Sequence, residues 1–222
     1  LPVAVFALTF PMAADSGITA IGVAGLFIVL ISALLLAYIL LNYLVVHFWG
    51  AVGIRRFAVA MIPPHVMAIS TRSSMATMPA LMDAAEHKLD VPSTLSAVVI
   101  PFFVTLFRSN RVISSPFNFL FLSFVYQLPV ELSTFGPFLA AQIILSFGTP
   151  GIPSGGKFVS LPLYLAAGIP LEGYILLKAV DTIPDIFKTM VNVTEVMAVT
   201  MVVSRKFRWS GAPDQLSGLR TP

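Results

Sequence analysis

Hydrophobic positions dominate this chain in long blocks, and the polar positions are gathered between them. No Asp, Glu, Lys or Arg occurs between Asp15 and Arg55, and the apolar run from Ile21 to Trp49 exceeds the roughly 20 residues that a membrane-crossing helix needs. Three stretches read as spanning helices: Ile18 to Trp49, Val91 to Tyr126 with an interruption midway, and Ile175 to Val203. Two others behave differently. Between Phe57 and His87 two short helical patterns meet at "STRSSMATMP", and between Leu132 and Gly168 two more meet at "GTPGIPSGG". Each half is about 10 to 14 residues, too short to cross, which predicts two re-entrant helical hairpins rather than four crossings. Their tips are rich in Ser, Gly and Pro, and irregular backbone at membrane depth persists only where protein or a water-filled cavity covers it.

Composition narrows the class. The 222 residues are 57% hydrophobic and 10% charged, against about 25% charged in a soluble domain. Apolar segments recur to the end of the chain, which excludes a signal peptide followed by a soluble body. Without cysteine, neither a disulfide framework nor a thiolate metal site is available. The chain starts inside an apolar segment, "LPVAVFALTF", and reads as a fragment; residues 209–222 read as a disordered polar tail.

The net charge of +3 matters less than its placement. With both hairpins entering and leaving on one side, Arg55, Arg56, Lys88, Arg205, Lys206 and Arg208 share one face of the membrane, and Asp15, Glu131 and Glu172 share the other. The positive-inside rule makes the basic face cytoplasmic. The two hairpins enter from opposite faces and each precedes a long helix, the arrangement of an inverted repeat whose broken helices build a site near the midplane. The fold class is therefore an all-α membrane protein, with spanning helices plus two re-entrant hairpins arranged as an inverted repeat.

Candidate chemistry concentrates in "DTIPDIFKTMVNVTEVMAVTMVVSR". Asp181, Asp185, Lys188, Asn192 and Glu195 fall within an arc of about 80° on an otherwise apolar helix. Interhelical hydrogen bonding is the structural alternative for such a stripe, but charge inside a membrane marks a functional site by default. Ser73 and Ser74 read as residues that meet a ligand or simply cap a short helix, two roles that do not exclude each other, and the glycines of "GTPGIPSGG" either gate a site or only turn the chain. His47, His65 and His87 lack metal-ligand spacing and read as membrane-edge residues, and no metal site is identified. Neither a nucleophile elbow, a Walker loop nor an HExxH sequence occurs, so the chain does not read as an enzyme. No cofactor or nucleic-acid partner is indicated.

The stretches "TRSSMATMPALM", "GTPGIPSGG" and "DTIPDIFKTMVNVT", in this order and spacing, resemble the glutamate transporter homologues, the dicarboxylate/amino acid:cation symporters. The resemblance covers nearly the whole chain. It implies a partial transport domain over residues 1–208: the end of the fifth helix, the sixth helix, a first hairpin at about 54–88, the seventh helix at about 91–126, a second hairpin at about 132–168, and the eighth helix at about 170–208. The first four helices, with most of the trimerising scaffold, are expected to lie outside it. Elevator-like alternating access, a homotrimer when full length, contact with membrane lipid, and a multi-pass location in the cell membrane (the inner membrane in a Gram-negative bacterium) follow from the same resemblance.

Residue by residue, it assigns Ser73 and Ser74 to the first tip and Ile152 and Gly156 to the second, gating tip. Asp185 matches the acid that holds a substrate amine, Thr189 stands beside it in the matched run, and Asn192 matches the amide that holds the main carboxylate. Lys188 replaces an Arg that pairs with a side-chain carboxylate, and Lys is a point charge without the bidentate fork. A small carboxylate, an acidic amino acid or a dicarboxylate, is the implied substrate. The family's "NMDGT" is replaced by "FRSNR", so Phe107 and Ser109 stand where an Asn and an Asp help hold sodium; a further sodium-binding acid is replaced by Val196, next to Glu195. This leads to the expectation that Arg108 and Arg111 supply fixed positive charge where bound cations would sit, balanced by Asp181, Asp185 and Glu195. Three readings follow: cation symport as in the family, sodium-independent exchange or facilitated movement of another small carboxylate, and a non-transporting ligand-binding paralogue. Proton coupling through Glu195 is intermediate among them.

Overall fold

The computed structural model describes residues 2–147 and 155–209, and the regular structure among them is helical. Helix α1 (Pro2–Trp49) runs without the break expected near Ile18. Between Asp15 and Trp49 the sequence has no proline to remove a link from the i to i−4 ladder. Its segment Gly22–Trp49 and the segment Thr182–Phe207 near the C-terminus are the two described helices long and apolar enough to cross a membrane. In α1, Phe27, Ile31, Leu35, Ile39 and Val46 form one buried stripe, while Leu30, Leu34, Leu41 and Leu44 on other faces are exposed. An apolar exterior of this kind suits lipid or neighbouring membrane helices rather than water.

The first short pair is α2 (Ile54–Thr71) and α3 (Ser74–Asp83), which pack on each other and continue through a π-helical turn at Ala84–Lys88. Helix α2, at 18 residues, is longer than its apolar pattern because it extends over Arg55 and Arg56 at one end and Ser70 and Thr71 at the other. Arg72, between the two helices, has φ 50° and ψ 33°. That left-handed conformation costs a non-glycine residue roughly 1–2 kcal/mol and turns the chain within two residues.

The interrupted helix is two helices, α4 (Ser93–Leu106) and α5 (Ser109–Val125). At the interruption Phe107 is extended and pairs with Phe147, and the Arg108 N–H donates to the Ser146 carbonyl at 3.0 Å. This bond ties the break to the end of α6 (Leu132–Ser146), which packs on α7 (Gly155–Ala166). The "GTPGIPSGG" tip, including Ile152, lies outside the described residues except for its last two glycines, Gly155 and Gly156, in the first turn of α7.

The final apolar segment is also divided, into α8 (Leu171–Val180) and α9 (Thr182–Trp209). Pro184 explains the division: it has no N–H for the Val180 carbonyl, and its ring collides with the residue four places back. Of the expected polar tail only Trp209 is described, as the last residue of α9. In an 18-residue apolar stretch of the α9 segment 61% of the residues are buried, against 22% in the corresponding stretch of α1. Helix α9 is thus the axis of the bundle. Val191 belongs to one apolar core with Phe27, Phe119, Tyr164 and Leu177, and Val193, Met197 and Met201 belong to a second with Phe57, Leu81 and Ile100. Near the second core's end, Arg56 pairs with Asp90 at 2.6 Å and Arg205 donates to the Phe48 and Trp49 carbonyls at 3.1 and 3.2 Å. Arg56, Lys88 and Arg205 therefore gather at one end of the bundle, as the charge pattern requires.

Candidate functional site

The breaks at Phe107–Arg108 and at Asp181 border the same cleft, of about 80 Å³. The α2–α3 turn contributes Arg72 and Ser74; the start of α5 contributes Arg108, Asn110 and Arg111. Ser160 and Tyr164 reach it from α7, and Lys178, Asp181, Asp185, Lys188 and Thr189 from the α8–α9 junction. Five cationic side chains (Arg72, Arg108, Arg111, Lys178, Lys188) and two carboxylates (Asp181, Asp185) line it, an excess of three positive charges. The lining favours an anion.

Within the cleft the charges are arranged, not scattered. The Lys188 ammonium donates to the Asp181 carboxylate, and both side chains are buried, at 8% and 2% exposure. The other oxygen of Asp181 lies 3.7 Å from Lys178 Nζ, which makes a Lys–Asp–Lys triad with one surplus positive charge. Arg111 donates to the Ser160 hydroxyl at 2.7 Å, and the Asp185 carboxylate acts electrostatically on Arg108. Tyr164, fully buried, donates to the Ser115 carbonyl at 3.1 Å and fixes α7 against α5. Asn110 joins α5 to α9: its backbone N–H donates to Asn192 Oδ1 at 3.2 Å and its side-chain amide to the Lys188 carbonyl at 3.3 Å.

The expected site residues divide into groups. Ser74, Arg108, Arg111, Asp181, Asp185, Lys188 and Thr189 meet at the cleft. Ser73 caps α3, its hydroxyl accepting from the Ala76 N–H at 3.3 Å, a role compatible with its place at the first tip. Asn192 is buried beside the cleft, with its Oδ1 engaged by Asn110. Glu195 lies apart from the arginines it was expected to balance. It faces α1 and is hydrogen-bonded with Tyr38, and its Oε2 is buried with no hydrogen-bond partner among the described residues. The reason is depth: one face of α9 meets the cleft at its start and α1 further along.

Phe107 carries no side-chain oxygen, and Arg108 and Arg111 bring positive charge to the same break; Val196, also without one, lies in the second apolar core. Among the described residues no cluster of three His, Asp or Glu side chains could hold a metal ion.

Several lining residues were missed from the sequence: Ser114, Ser115 and Asn118 on α5, Ser160 and Tyr164 on α7, and Lys178 on α8. The α5 set was available as a signal. Arg111, Ser114, Ser115 and Asn118 recur at i, i+3, i+4 and i+7, a polar stripe on one helix face. The sequence suggests a membrane-edge place for His65, yet its Nε2 lies 2.9 Å from the hydroxyl of buried Thr194 and links α2 to α9.

A helical bundle with an apolar exterior and a charged cleft where two helices break has the make-up of an all-α membrane transporter. Comparison with known proteins gives the family directly: the sodium:dicarboxylate symporter family matches over residues 1–206. The chain belongs to that family. It is similar to the proton/sodium-glutamate symport protein of Bacillus subtilis (strain 168), 26% identical over 210 residues, 95% of this chain and 48% of the relative. It is likewise similar to excitatory amino acid transporter 3 of Mus musculus, 28% identical over 138 residues, 62% of this chain and 26% of the relative. The proton/glutamate-aspartate symporter of Bacillus subtilis (strain 168) is 28% identical over 160 residues, 69% of this chain and 38% of the relative. The chain thus spans about a quarter to a half of the length of these relatives.

Proposed function

We propose that residues 1–208 form part of the moving transport domain of a secondary transporter that carries an acidic amino acid or a dicarboxylate by elevator-like alternating access. The observation that carries this reading is the cleft at the two helix breaks, with its excess of three positive charges and Asp185 among them. A carboxylate needs cations and amide donors, and a substrate ammonium needs an anion. The pairs α2–α3 and α6–α7 act as re-entrant hairpins of an inverted repeat, the second tip gating the cleft. The full-length protein works as a homotrimer in the cell membrane, against a scaffold outside this chain. The glutamate and glutamate-aspartate symporters among its relatives support an acidic substrate.

Coupling differs from the family name. Arg108 and Arg111 supply fixed positive charge in place of sodium, so movement of the substrate is exchange or facilitated flux with little sodium dependence. A second reading, proton coupling, is favoured by the buried, half-satisfied carboxylate of Glu195 beside Tyr38. The deciding experiment is uptake of labelled aspartate and succinate by the full-length protein in liposomes, with and without a sodium gradient, at two values of pH. Flux indifferent to sodium supports the proposal, and flux rising steeply with sodium overturns the role of the two arginines. Binding without flux assigns the protein to the ligand-binding paralogues.

A further inference from the structure

We infer that the basic end of the bundle binds a phosphate group, of an anionic lipid headgroup or free in solution, in a cavity between the end of α1, the start of α2 and the end of α9. None of the residues lining this cavity belongs to the charged cleft, so the site is separate from the proposed substrate site.

The cavity measures about 170 Å³, against roughly 10–15 Å³ for a single water. Two arginines, Arg56 and Arg205, and one carboxylate, Asp90, line it, which leaves one positive charge in surplus. Arg205 donates through Nη1 to the Phe48 and Trp49 carbonyls in the last turn of α1, a contact that fixes its guanidinium at the cavity wall. A guanidinium has five N–H donors, and a single nitrogen supplies both of these bonds. Arg56 donates to the Lys88 carbonyl at 2.9 Å and pairs with Asp90 at 2.6 Å. Both partners of that pair are exposed, and an exposed ion pair holds its members weakly. Arg56 can therefore share its fork with an entering phosphate, whose oxygens match guanidinium geometry.

Ser204 supplies a further donor. It is 3% exposed, and no hydrogen bond joins its hydroxyl to another of the described residues. Thr189, Thr194 and Thr200, the buried threonines of the same helix, each donate to the carbonyl four residues back. A buried hydroxyl without a partner is costly, and Ser204 lines the cavity, where a phosphate oxygen would accept from it.

The surroundings favour a lipid as the source. Trp49, the last residue of α1, is 61% exposed, as suits an indole at the level of lipid headgroups. Leu41 and Leu44, earlier on α1, are exposed as well and offer a path for acyl chains. Arg55, Lys88 and Lys206 add positive charge beside the cavity residues Arg56, Leu89 and Arg205. Basic pockets of this kind between membrane helices attract anionic headgroups.

The test titrates short-chain phosphatidylglycerol, short-chain phosphatidylcholine or inorganic phosphate, at one ionic strength, into the purified full-length protein in neutral detergent and follows the melting temperature. A ligand of the folded state stabilises by mass action. Phosphatidylglycerol is expected to raise the melting temperature, and phosphatidylcholine, whose choline cancels the phosphate charge, to change it little. Arg205→Gln is expected to weaken the apparent affinity by about tenfold, and Ser204→Ala, which leaves the end of α1 tied to Arg205, by about threefold. Lys206→Gln, outside the cavity lining, is expected to weaken it by less than about twofold.

Stabilisation by phosphatidylglycerol alone assigns the site to lipid, and stabilisation by inorganic phosphate, weakened in the same two variants, assigns it to free phosphate; either result upholds the site. Equal effects of the two lipids would overturn it, as would a response that Arg205→Gln and Ser204→Ala leave unchanged. A loss in Lys206→Gln as large as that in Arg205→Gln would show diffuse attraction to surface charge and overturn it too. No response to phosphatidylglycerol or phosphate has the same consequence.

Discussion

The backbone N–H of Asn110 donates to the side-chain oxygen of Asn192 at 3.2 Å, across the contact between α5 and α9. The bond fixes the Asn192 amide so that its oxygen faces α5, and its NH2 group is the end that donates. Asn192→Asp keeps the acceptor for Asn110 but replaces a donor with negative charge. It is expected to leave the melting temperature close to that of the unmodified protein and to weaken carboxylate binding by about tenfold or more. Asn192→Ala is expected to lower stability by about 1–3 kcal/mol, through the unsatisfied Asn110 N–H. Melting curves and binding isotherms on the same samples check both.

The triad at the α8–α9 junction makes a stability prediction. Asp181→Asn leaves Lys178 and Lys188 facing each other in a buried site and is expected to cost about 3–5 kcal/mol. Adding Lys188→Met removes the uncompensated charge and is expected to recover most of that loss. A double variant no more stable than Asp181→Asn alone would show that the pair is not coupled. Thermal melting in one detergent provides the comparison.

Asp185 lines the cleft together with Arg108, and its proposed task is to hold a substrate ammonium. Asp185→Asn is therefore expected to weaken aspartate more than succinate, by about tenfold in the ratio of their affinities. Equal losses for the two would assign Asp185 to the electrostatic balance of Arg108 instead. Competition binding with the two unlabelled acids gives the ratio.

For Glu195, the question is whether its buried carboxyl carries a proton during transport. Glu195→Gln keeps the shape and the hydrogen bond with Tyr38 but removes the titratable group. Uptake that depends on pH in the unmodified protein is expected to lose that dependence in Glu195→Gln. Retention of the full pH profile would exclude this carboxyl as the coupling group. The measurement is initial uptake rate across a pH series with no sodium gradient.

Gly50 closes α1 where α1 meets α9. A Cβ built there would lie 2.7 Å from the Val46 carbonyl oxygen and 3.2 Å from Met201 Cβ. The first is backbone and cannot swing away. Gly50→Ala is expected to cost about 1–3 kcal/mol of stability, seen as a lower melting temperature, with little change in substrate affinity because the cleft is lined by other residues.

The apolar periodicity alone specified an all-helical membrane chain, the order of its segments, the interruption inside 91–126 and the clustering of basic residues at one end. It did so because helix length and burial in lipid depend on local composition, which the sequence carries in full. Part of the cleft was legible for a related reason: Asp181, Asp185, Lys188 and Thr189 lie close together along one short stretch. The partners were not. Periodicity gives the direction of a side chain around its own helix axis but says nothing of which element lies opposite at that depth. Hence Glu195 shares the stripe of Asp185 and yet meets Tyr38 on α1, while Ser160, more than forty residues from Arg111, becomes its hydrogen-bond partner. The residue types and their spacing are properties of the sequence; the pairing of Lys188 with Asp181, the capping by Ser73 and the junction of Asn110 with Asn192 were decided only when the helices packed and each buried polar group had to find a partner within reach.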